Sequence, residues 1–247
     1  MKRAVLAALV AVTALPVSGH SQGVSSTLDR PVWGPRVRFT PFVGVAPAVT
    51  RLERWTVVLN GQAAVSDYDV ELASGWGAGA SIEVLAVERF AFIASGAYLS
   101  RGRTTEFSSD LDDYIEHEGS NFIMARGAIA VRLREELSDL QLRTLTATLF
   151  AGPAWVREMP KDDPFAPAVL QDPLSYWGVN FGADAEIPLG WNALSIQAGV
   201  EDYYVFWDTD AFAARNDAAL GNGARSVVET DPSHMWMFRV GLTMRTR

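Results

Sequence analysis

The sequence contains no cysteine among its 247 residues, which excludes disulfide bonds and thiolate metal sites. Basic residues are few, 21 against 29 acidic ones, and the formal net charge is -8. A chain of this charge lacks the basic surface that nucleic-acid binding requires, so no nucleic acid is expected as a partner. Beyond the N-terminal segment, no stretch approaches the ~18 uninterrupted apolar residues of a transmembrane helix. We expect one domain of moderate size, with no cofactor and no metal.

The N-terminal segment has the three parts of a secretory signal peptide. Lys2 and Arg3 precede an apolar run from Ala4 to Val17, and small residues follow up to Ser21. This pattern predicts a signal peptide over residues 1–21. A retained helical anchor is the alternative, but the run is shorter than the ~20 residues that a spanning helix needs. Removal of two basic residues changes the net charge from -8 to -10 (-8 - 2). Residues 22–35 then form an irregular lead-in.

One stretch, from Tyr176 to Leu189, alternates between two kinds of residue without interruption. One face is apolar from Trp177 to Leu189, and the other combines glycine with Asn180, Asp184 and Glu186. A period of two indicates an extended strand, because residues i and i+2 share a face. An uncharged face beside a polar face of this length is typical of a strand between lipid and a polar lumen.

Seven further stretches of the chain repeat this unit. The third of the eight strands is apolar on both faces, so the pattern does not decide which face is inward. In the seventh strand, Asp202 interrupts the apolar face and predicts a bulge or an exit from the bilayer. The seven stretches are Arg36–Ala46, Gly75–Ala86, Phe90–Arg103, Ser120–Leu133, Thr144–Val156, Leu194–Trp207 and His234–Arg247.

The seven connections between these strands alternate between long and shorter ones. The first long connection has extended segments at Trp55–Leu59 and Asp67–Leu72, and the fourth predicts a short helix at Ala211–Leu220. Prolines exclude a regular element from residues 157–175. Long connections at one end and short turns at the other are the pattern of outer-membrane barrels. Residues 36–247 therefore predict an all-β fold, an eight-stranded antiparallel up-and-down transmembrane β-barrel.

The strand phrases LFAGPAW at 149–155 and GVNFGADAEIPL at 178–189 add a resemblance. They resemble the small eight-stranded outer-membrane barrels of Gram-negative bacteria, the class of OmpX and the OmpA transmembrane domain. The resemblance implies a location in the cell outer membrane, among outer-membrane lipid and lipopolysaccharide. It also implies insertion by the barrel-assembly machinery, a monomer, and no peptidoglycan-binding domain.

Charged residues recur on the faces predicted to be inward. Eight strands enclose a lumen that side chains fill, so these charges are expected to pair with one another and to close the lumen. A gated proton or ion path is the alternative interpretation. The set is Arg38, Glu83, Arg126, Arg132, Asp184, Glu186, Glu201, Arg239 and Arg245.

Large aromatic residues collect toward the long-connection ends of the strands. Such clustering predicts an aromatic girdle at one membrane interface. A soluble barrel of lipocalin type, with its apolar faces inward, would scatter these residues through a core. The girdle set is Trp76, Trp155, Trp177, Tyr203, Trp207 and Trp236.

Few residues support catalysis or metal binding. Ser233 and His234 are adjacent, so they point to opposite faces of a strand and do not form a catalytic pair. The acidic segment from Glu106 to Glu118 lacks the spacing and the glycine of an EF-hand, and a solvated acidic loop is expected there. We expect a non-enzymatic outer-membrane barrel with a structural or surface-interaction role. The alternative is a lipid-modifying enzyme of the lipid A hydrolase or acyltransferase type.

Overall fold

Thirteen strands and one helix make up the part of the chain that the computed structural model describes. The described residues are 36–59, 66–87, 89–102, 104–108, 113–117, 119–135, 145–162, 172–189, 194–220, 224–229 and 232–245. All of them belong to one unit, Pro35–Arg247. The predicted signal peptide and lead-in lie outside the described residues and stay predictions.

The elements follow one another with short breaks. In chain order they are β1 (Arg36–Ala46), β2 (Val49–Leu59), β3 (Ser66–Leu72), β4 (Gly75–Val87), β5 (Phe90–Arg101), β6 (Thr104–Ser108), β7 (Asp113–His117), β8 (Ser120–Glu135), β9 (Leu145–Pro160), β10 (Leu174–Pro188), β11 (Leu194–Phe206), α1 (Thr209–Leu220), β12 (Ala224–Glu229) and β13 (Ser233–Arg245).

Eight of these strands close into a barrel in the order β1-β4-β5-β8-β9-β10-β11-β13. Every neighbouring pair is antiparallel, and β13 returns to β1 with Arg38 opposite Arg245 and Val45 opposite Phe238. Because each barrel strand pairs with the next one in the chain, the meander is up-and-down. The predicted fold class is confirmed, and so is the pairing of the first and last barrel strands.

Alternation of side chains explains why these segments form barrel strands. In β5, Ala91, Ile93 and Leu99 are buried inside while Phe92 and Tyr98 are exposed outside. The inward face of this strand, which the sequence left undecided, therefore carries the odd-numbered residues. Across the barrel the outer face is apolar and exposed, as lipid contact requires. Among the described residues, no helix is long and apolar enough to cross a bilayer.

The long connections build a second sheet at one end of the barrel. This loop-end sheet has the order β12-β2-β3-β6-β7. Its strands continue the barrel strands β13, β1, β4, β5 and β8, in the same order and after breaks of two or three residues. The barrel wall thus extends on one side beyond the ring. We call this end the loop end and the opposite one, with the short connections, the turn end.

The connections differ in part from the sequence-based predictions. The two extended segments of the first connection are β2 and β3, and the predicted helix is α1. The expected acidic loop contains the hairpin β6–β7. Strand β9 continues to Pro160, so the expectation of no regular element from residue 157 onward is wrong. Proline is tolerated there because the last residue of a strand need not donate to the ladder.

The outer face generates a direct test at Val240, which is 55% exposed near the middle of β13. We expect Val240→Arg to lower the stability of the barrel in a bilayer by about 2–4 kcal/mol, because the midplane does not solvate a guanidinium. Val240→Leu is the matched control and should fold like the wild type. Urea titration in lipid vesicles, followed by heat-modifiable gel mobility, measures both. Equal stability of the two variants would contradict the lipid-facing assignment.

Candidate functional site

The lumen at the turn end holds a cluster of five charged side chains. Arg38 donates through Nη1 to Glu83 Oε2 at 3.2 Å and through Nη2 to Glu186. Arg245 Nη2 donates to Glu186 Oε1 at 2.5 Å. Arg132 lies between the two glutamates, with nitrogen–oxygen distances of 3.5 and 3.6 Å. Each glutamate therefore meets at least two arginines, and neither is left unpaired in the low-dielectric interior.

A second group of charges lies further along the lumen, toward its middle. Arg239 Nη2 donates to both oxygens of Asp184, at 2.9 and 2.7 Å, and Gln197 donates to Asp184 Oδ2 at 2.8 Å. Arg126 Nη2 lies 3.1 Å from Glu201 Oε2, and Arg239 Nε lies 3.7 Å from the same oxygen. Two arginines and two carboxylates thus form a continuous buried network.

The nine lumen residues named from the sequence all point inward, and the structure brings each of them into an ion pair. Arg132 and Arg245 are half-buried and the other seven are buried. Neutral partners on the same faces complete the network, since Thr40 bonds Thr243 at 2.9 Å and Thr243 donates to Gln197 at 3.3 Å. These neutral members are not among the residues predicted from charge, although the same alternation places them inward.

Apolar side chains fill the lumen between this network and the loop end. Arg126 lies over the ring of Phe150 at 4.1 Å, and Arg239 over that of Phe42 at 4.9 Å, so cation–π contacts join the polar and apolar parts. We call the side chains beyond them the apolar layer. It consists of Phe42, Ala97, Leu99, Phe122, Met124, Ala154, Val156, Tyr203, Val205, Met235 and Met237, all buried.

Helix α1 packs on the apolar layer from the loop end. Phe212 stacks on Tyr176 at 5.6 Å between ring centroids and lies 6.0 Å from Trp207. Arg215 Nη1 is 3.7 Å from Glu158 Oε2, which also accepts a hydrogen bond from the Tyr176 hydroxyl at 3.3 Å. One aromatic ring and one ion pair therefore hold the helix against strands β9 and β10.

The start and the outer side of α1 are fixed by short polar contacts. Asp208 Oδ1 accepts the Ala211 N–H at 3.0 Å, an N-cap that explains why the helix begins at Thr209. Ser226 of β12 donates to Ala213 O at 3.1 Å and to Asp217 Oδ1 at 2.9 Å. The helix thus bridges the lumen and the loop-end sheet.

Of the six residues predicted for the aromatic girdle, four lie on the outer face and two do not. Trp76, Trp155, Trp177 and Trp236 lie on the outer face. Tyr203 and Trp207 lie inside the lumen, 0% and 8% exposed. The expected bulge near Asp202 is absent, since β11 pairs with β10 and β13 without a register shift. The odd-numbered residues of β11 therefore stay inward to its end, and Tyr204 and Phe206 are its outer aromatics.

Asp202 remains on the outer face and forms a pair with His234. Its Oδ2 lies 2.5 Å from Nδ1 of the imidazole, and its side chain is 0% exposed beneath the 53% exposed His234. The ring of Tyr204 is 4.8 Å from the imidazole. Ser233 is buried on the opposite face, so it does not join this pair. The sequence pattern does not identify this pair, and its only signal is the lone carboxylate on an apolar face.

Metal coordination finds no support among the described residues, where no group of three or more His, Asp or Glu gathers to hold an ion. Part of the acidic segment, including Asp110 and Asp112, lies outside the described residues. The expectation of a solvated acidic segment stays a prediction for that part.

Comparisons with known proteins match the chain only to solved structures. No family model and no curated protein matches it. OprG from Pseudomonas aeruginosa aligns with a TM-score of 0.51 and 12% identity over 85% of this chain and 96% of that one. AlkL aligns at 0.47 and 14% over 92% and 97%, and Neisserial surface protein A at 0.44 and 7% over 86% and 99%. At 12% identity the likeness to OprG shows the fold alone, that of a small β-barrel.

The buried network generates a stability prediction at Arg239. We expect Arg239→Met to destabilise the barrel by about 3–5 kcal/mol, because Asp184 and Glu201 lose a shared cation inside the lumen. Arg225→Met, at an exposed arginine of β12, is the control and should have little effect. The double variant Arg239→Met/Asp184→Asn should be less destabilised than the single one in urea titration. A single variant as stable as the wild type would refute the pairing.

Proposed function

We propose that this protein is a non-enzymatic outer-membrane β-barrel with a closed lumen, which anchors a rigid recognition surface outside the cell. The observation that carries the proposal is the loop-end sheet. Strand β12 of the fourth long connection pairs with β2 of the first, and β3 of the first pairs with β6 of the second. Three connections that are far apart in the chain thus form one hydrogen-bonded unit.

A pre-formed sheet favours recognition because its backbone does not have to be ordered on binding. The remaining parts of the barrel offer little surface for a partner, since the strands face lipid and lumen and the turns are short. The partner that we propose is lipopolysaccharide, the polyanion surrounding the loop end. The segment from Thr104 to Gly119 has six acidic residues and no lysine or arginine, so divalent cations would bridge it to lipid phosphates. The protein acts as a monomer and is inserted by the barrel-assembly machinery.

Closure of the lumen is supported by three successive features. The turn-end charges are paired, the apolar layer lies next along the lumen, and α1 packs beyond that layer. An ion that crossed the lumen would have to break buried ion pairs and then pass the apolar layer, and both steps are costly. A structural anchor therefore fits these contacts better than a pore.

Conductance tests the closed lumen. We expect purified protein in planar lipid bilayers to show no stable large conductance at neutral pH, because paired and apolar side chains occupy the lumen. A porin reconstituted in parallel is the positive control. A steady, wide channel would reject closure and would assign the lumen charges to ion selectivity.

Lipopolysaccharide binding tests the recognition surface. Replacing residues 104–118 with a short Gly/Ser turn should leave the barrel heat-modifiable, since β5 and β8 still pair from Ser100 and Asn121 onward. Binding of deacylated lipopolysaccharide in the presence of Mg²⁺ should fall, and EDTA should abolish it for the wild type. The matched control replaces residues 190–193 at the turn end. Unchanged binding by the loop-end variant, measured by calorimetry, would exclude this surface.

A second candidate function, lipid modification, is favoured by one observation, the Asp202–His234 pair. With Asp202 accepting at Nδ1, the Nε2 atom of His234 is free to act as a base at the loop end of the lipid face. Nε2 would take a proton from a water molecule that attacks an ester carbonyl, and the acyl chain would leave phospholipid or lipopolysaccharide as a free fatty acid. This release would then require His234, and His234→Asn and Asp202→Asn should both remove it. Trp76→Phe, on the same outer face, is the control. Absence of acyl release from the wild type, measured by mass spectrometry, would exclude the enzyme.

A further inference from the structure

One arginine of the lumen differs from all its neighbours. Arg101 is the last residue of β5, and its side chain points inward and is 1% exposed. The other lumen arginines whose side chains the structure describes each lie within 4 Å of a carboxylate, whereas none of the ion pairs among the described residues includes Arg101. No counter-charge for this buried cation lies among the described residues, so its position needs a further explanation.

The guanidinium of Arg101 is held in place from one side only. Its Nη1 atom donates to the carbonyl oxygens of Pro47 and Ala73, both at 2.9 Å. These carbonyls lie in the breaks where β1 passes into β2 and β3 into β4. Gly75 lies opposite Arg101 in β4, and a Cβ there would meet Arg101 Cγ at 2.9 Å. The glycine therefore provides the space in which the guanidinium turns toward the two breaks.

The other side of the guanidinium has no hydrogen-bond partner among the described residues. The buried atoms Nε and Nη2 of Arg101 both lack one. These two N–H groups are parallel and form the fork with which arginine grips a carboxylate or phosphate through two hydrogen bonds. Fixation through Nη1 and an unpartnered Nε/Nη2 edge is the geometry of a pre-organised oxyanion site.

We propose that Arg101 binds the oxyanion of a ligand, a carboxylate or phosphate group, at the loop-end mouth of the barrel. The line of breaks around it lies at the surface of the protein, because Pro47, Ser74 and Gly102 are exposed. A second cation lies on the same line, since Lys161 donates through Nζ to Arg101 O at 2.7 Å. The oxyanion comes from a free anion or from the phosphate of a lipid headgroup.

Holding two carbonyl oxygens does not account for this arginine. That task uses Nη1 alone, and the ammonium of a lysine performs it as a point donor. Only the Nε/Nη2 fork distinguishes arginine from lysine here. Arg101→Lys therefore keeps the charge and the carbonyl contacts while it removes the oxyanion fork, which separates binding from a structural role.

The test is isothermal titration of the full-length barrel in detergent with inorganic phosphate and with acetate, at ionic strength matched with chloride. A second arm uses a short-chain phosphatidic acid. We expect the wild type to bind at least one of these probes and Arg101→Lys to bind it about tenfold more weakly, as the loss of a charge-assisted hydrogen bond implies. Arg225→Lys, at the exposed arginine of β12, should bind like the wild type. Binding of phosphate or acetate indicates a free anion, and binding of the lipid alone indicates a headgroup.

A measurement on the wild type keeps the proposal testable if the Arg101→Lys variant does not fold. The Nε–H resonance of Arg101 in a ¹⁵N spectrum, assigned from its loss in Arg101→Lys or in a heat-modifiable Arg101→Gln, should shift when the bound probe is added. The proposal is overturned if the wild type binds none of the probes, if Arg101→Lys binds as tightly as the wild type, or if the Arg101 resonance does not move. Any of these results leaves the proposed anchor and its recognition surface unaffected.

Discussion

A strand in lipid has no water to satisfy its backbone, and this constraint determines the rest of the structure. Every N–H and C=O group of the eight barrel strands must meet a neighbouring strand, so the sheet has to close on itself. Closure occurs where β1 pairs with β13, with Phe39 opposite Met244 and Val43 opposite Val240. A ring of eight strands is narrow, and its inward residues therefore have to fill the lumen with one another.

The narrow lumen explains which residues occupy it. Charges on opposite walls are brought within bonding distance, and glycine is required where a large side chain crosses. Gly199 illustrates this, because a Cβ there would overlap the Asp184 carboxylate that Arg239 holds. At the loop end, Gly119 has a φ of 83°, and a Cβ there would overlap Gly102 O. The wall thus passes from β8 to β7 through a conformation that favours glycine.

Much of this architecture could be predicted from the sequence, because a period of two is a local property. All barrel strands except β5 show a clear alternation of polar and apolar residues, and the predicted strand ends fall within four residues of the observed ones, as in β9. The prediction that Tyr203 and Trp207 lie on the outer face is wrong. It rests on the interpretation that the alternation of inward and outward residues in β11 ends at Asp202. A carboxylate on the lipid face looks like an interruption until its partner His234, from another strand, is known. Which side chains of different strands contact each other cannot be predicted from the local sequence of either strand.

The same limitation applies to the loop-end sheet. The sequence predicts extended segments in the first connection but not that β2 pairs with β12, about 170 residues later in the chain. The orientation of the Arg101 guanidinium could not be predicted from the sequence either, since it depends on two carbonyl groups, one between β1 and β2 and one between β3 and β4. Lumen charges were found because alternation alone places them. Their particular partners were not, because the pairing depends on barrel register.

The central claim is that distant connections form one continuation of the barrel wall, and engineered disulfides test it most directly. The chain has no cysteine to compete, and Thr56 of β2 lies opposite Val227 of β12. Opposed residues of antiparallel strands are close enough for a disulfide, whereas a shift of two residues places them too far apart. On mild oxidation in membranes, Thr56→Cys/Val227→Cys should cross-link almost completely and Thr56→Cys/Arg225→Cys only weakly. Absence of the first cross-link, or equal yields of both, would contradict the account.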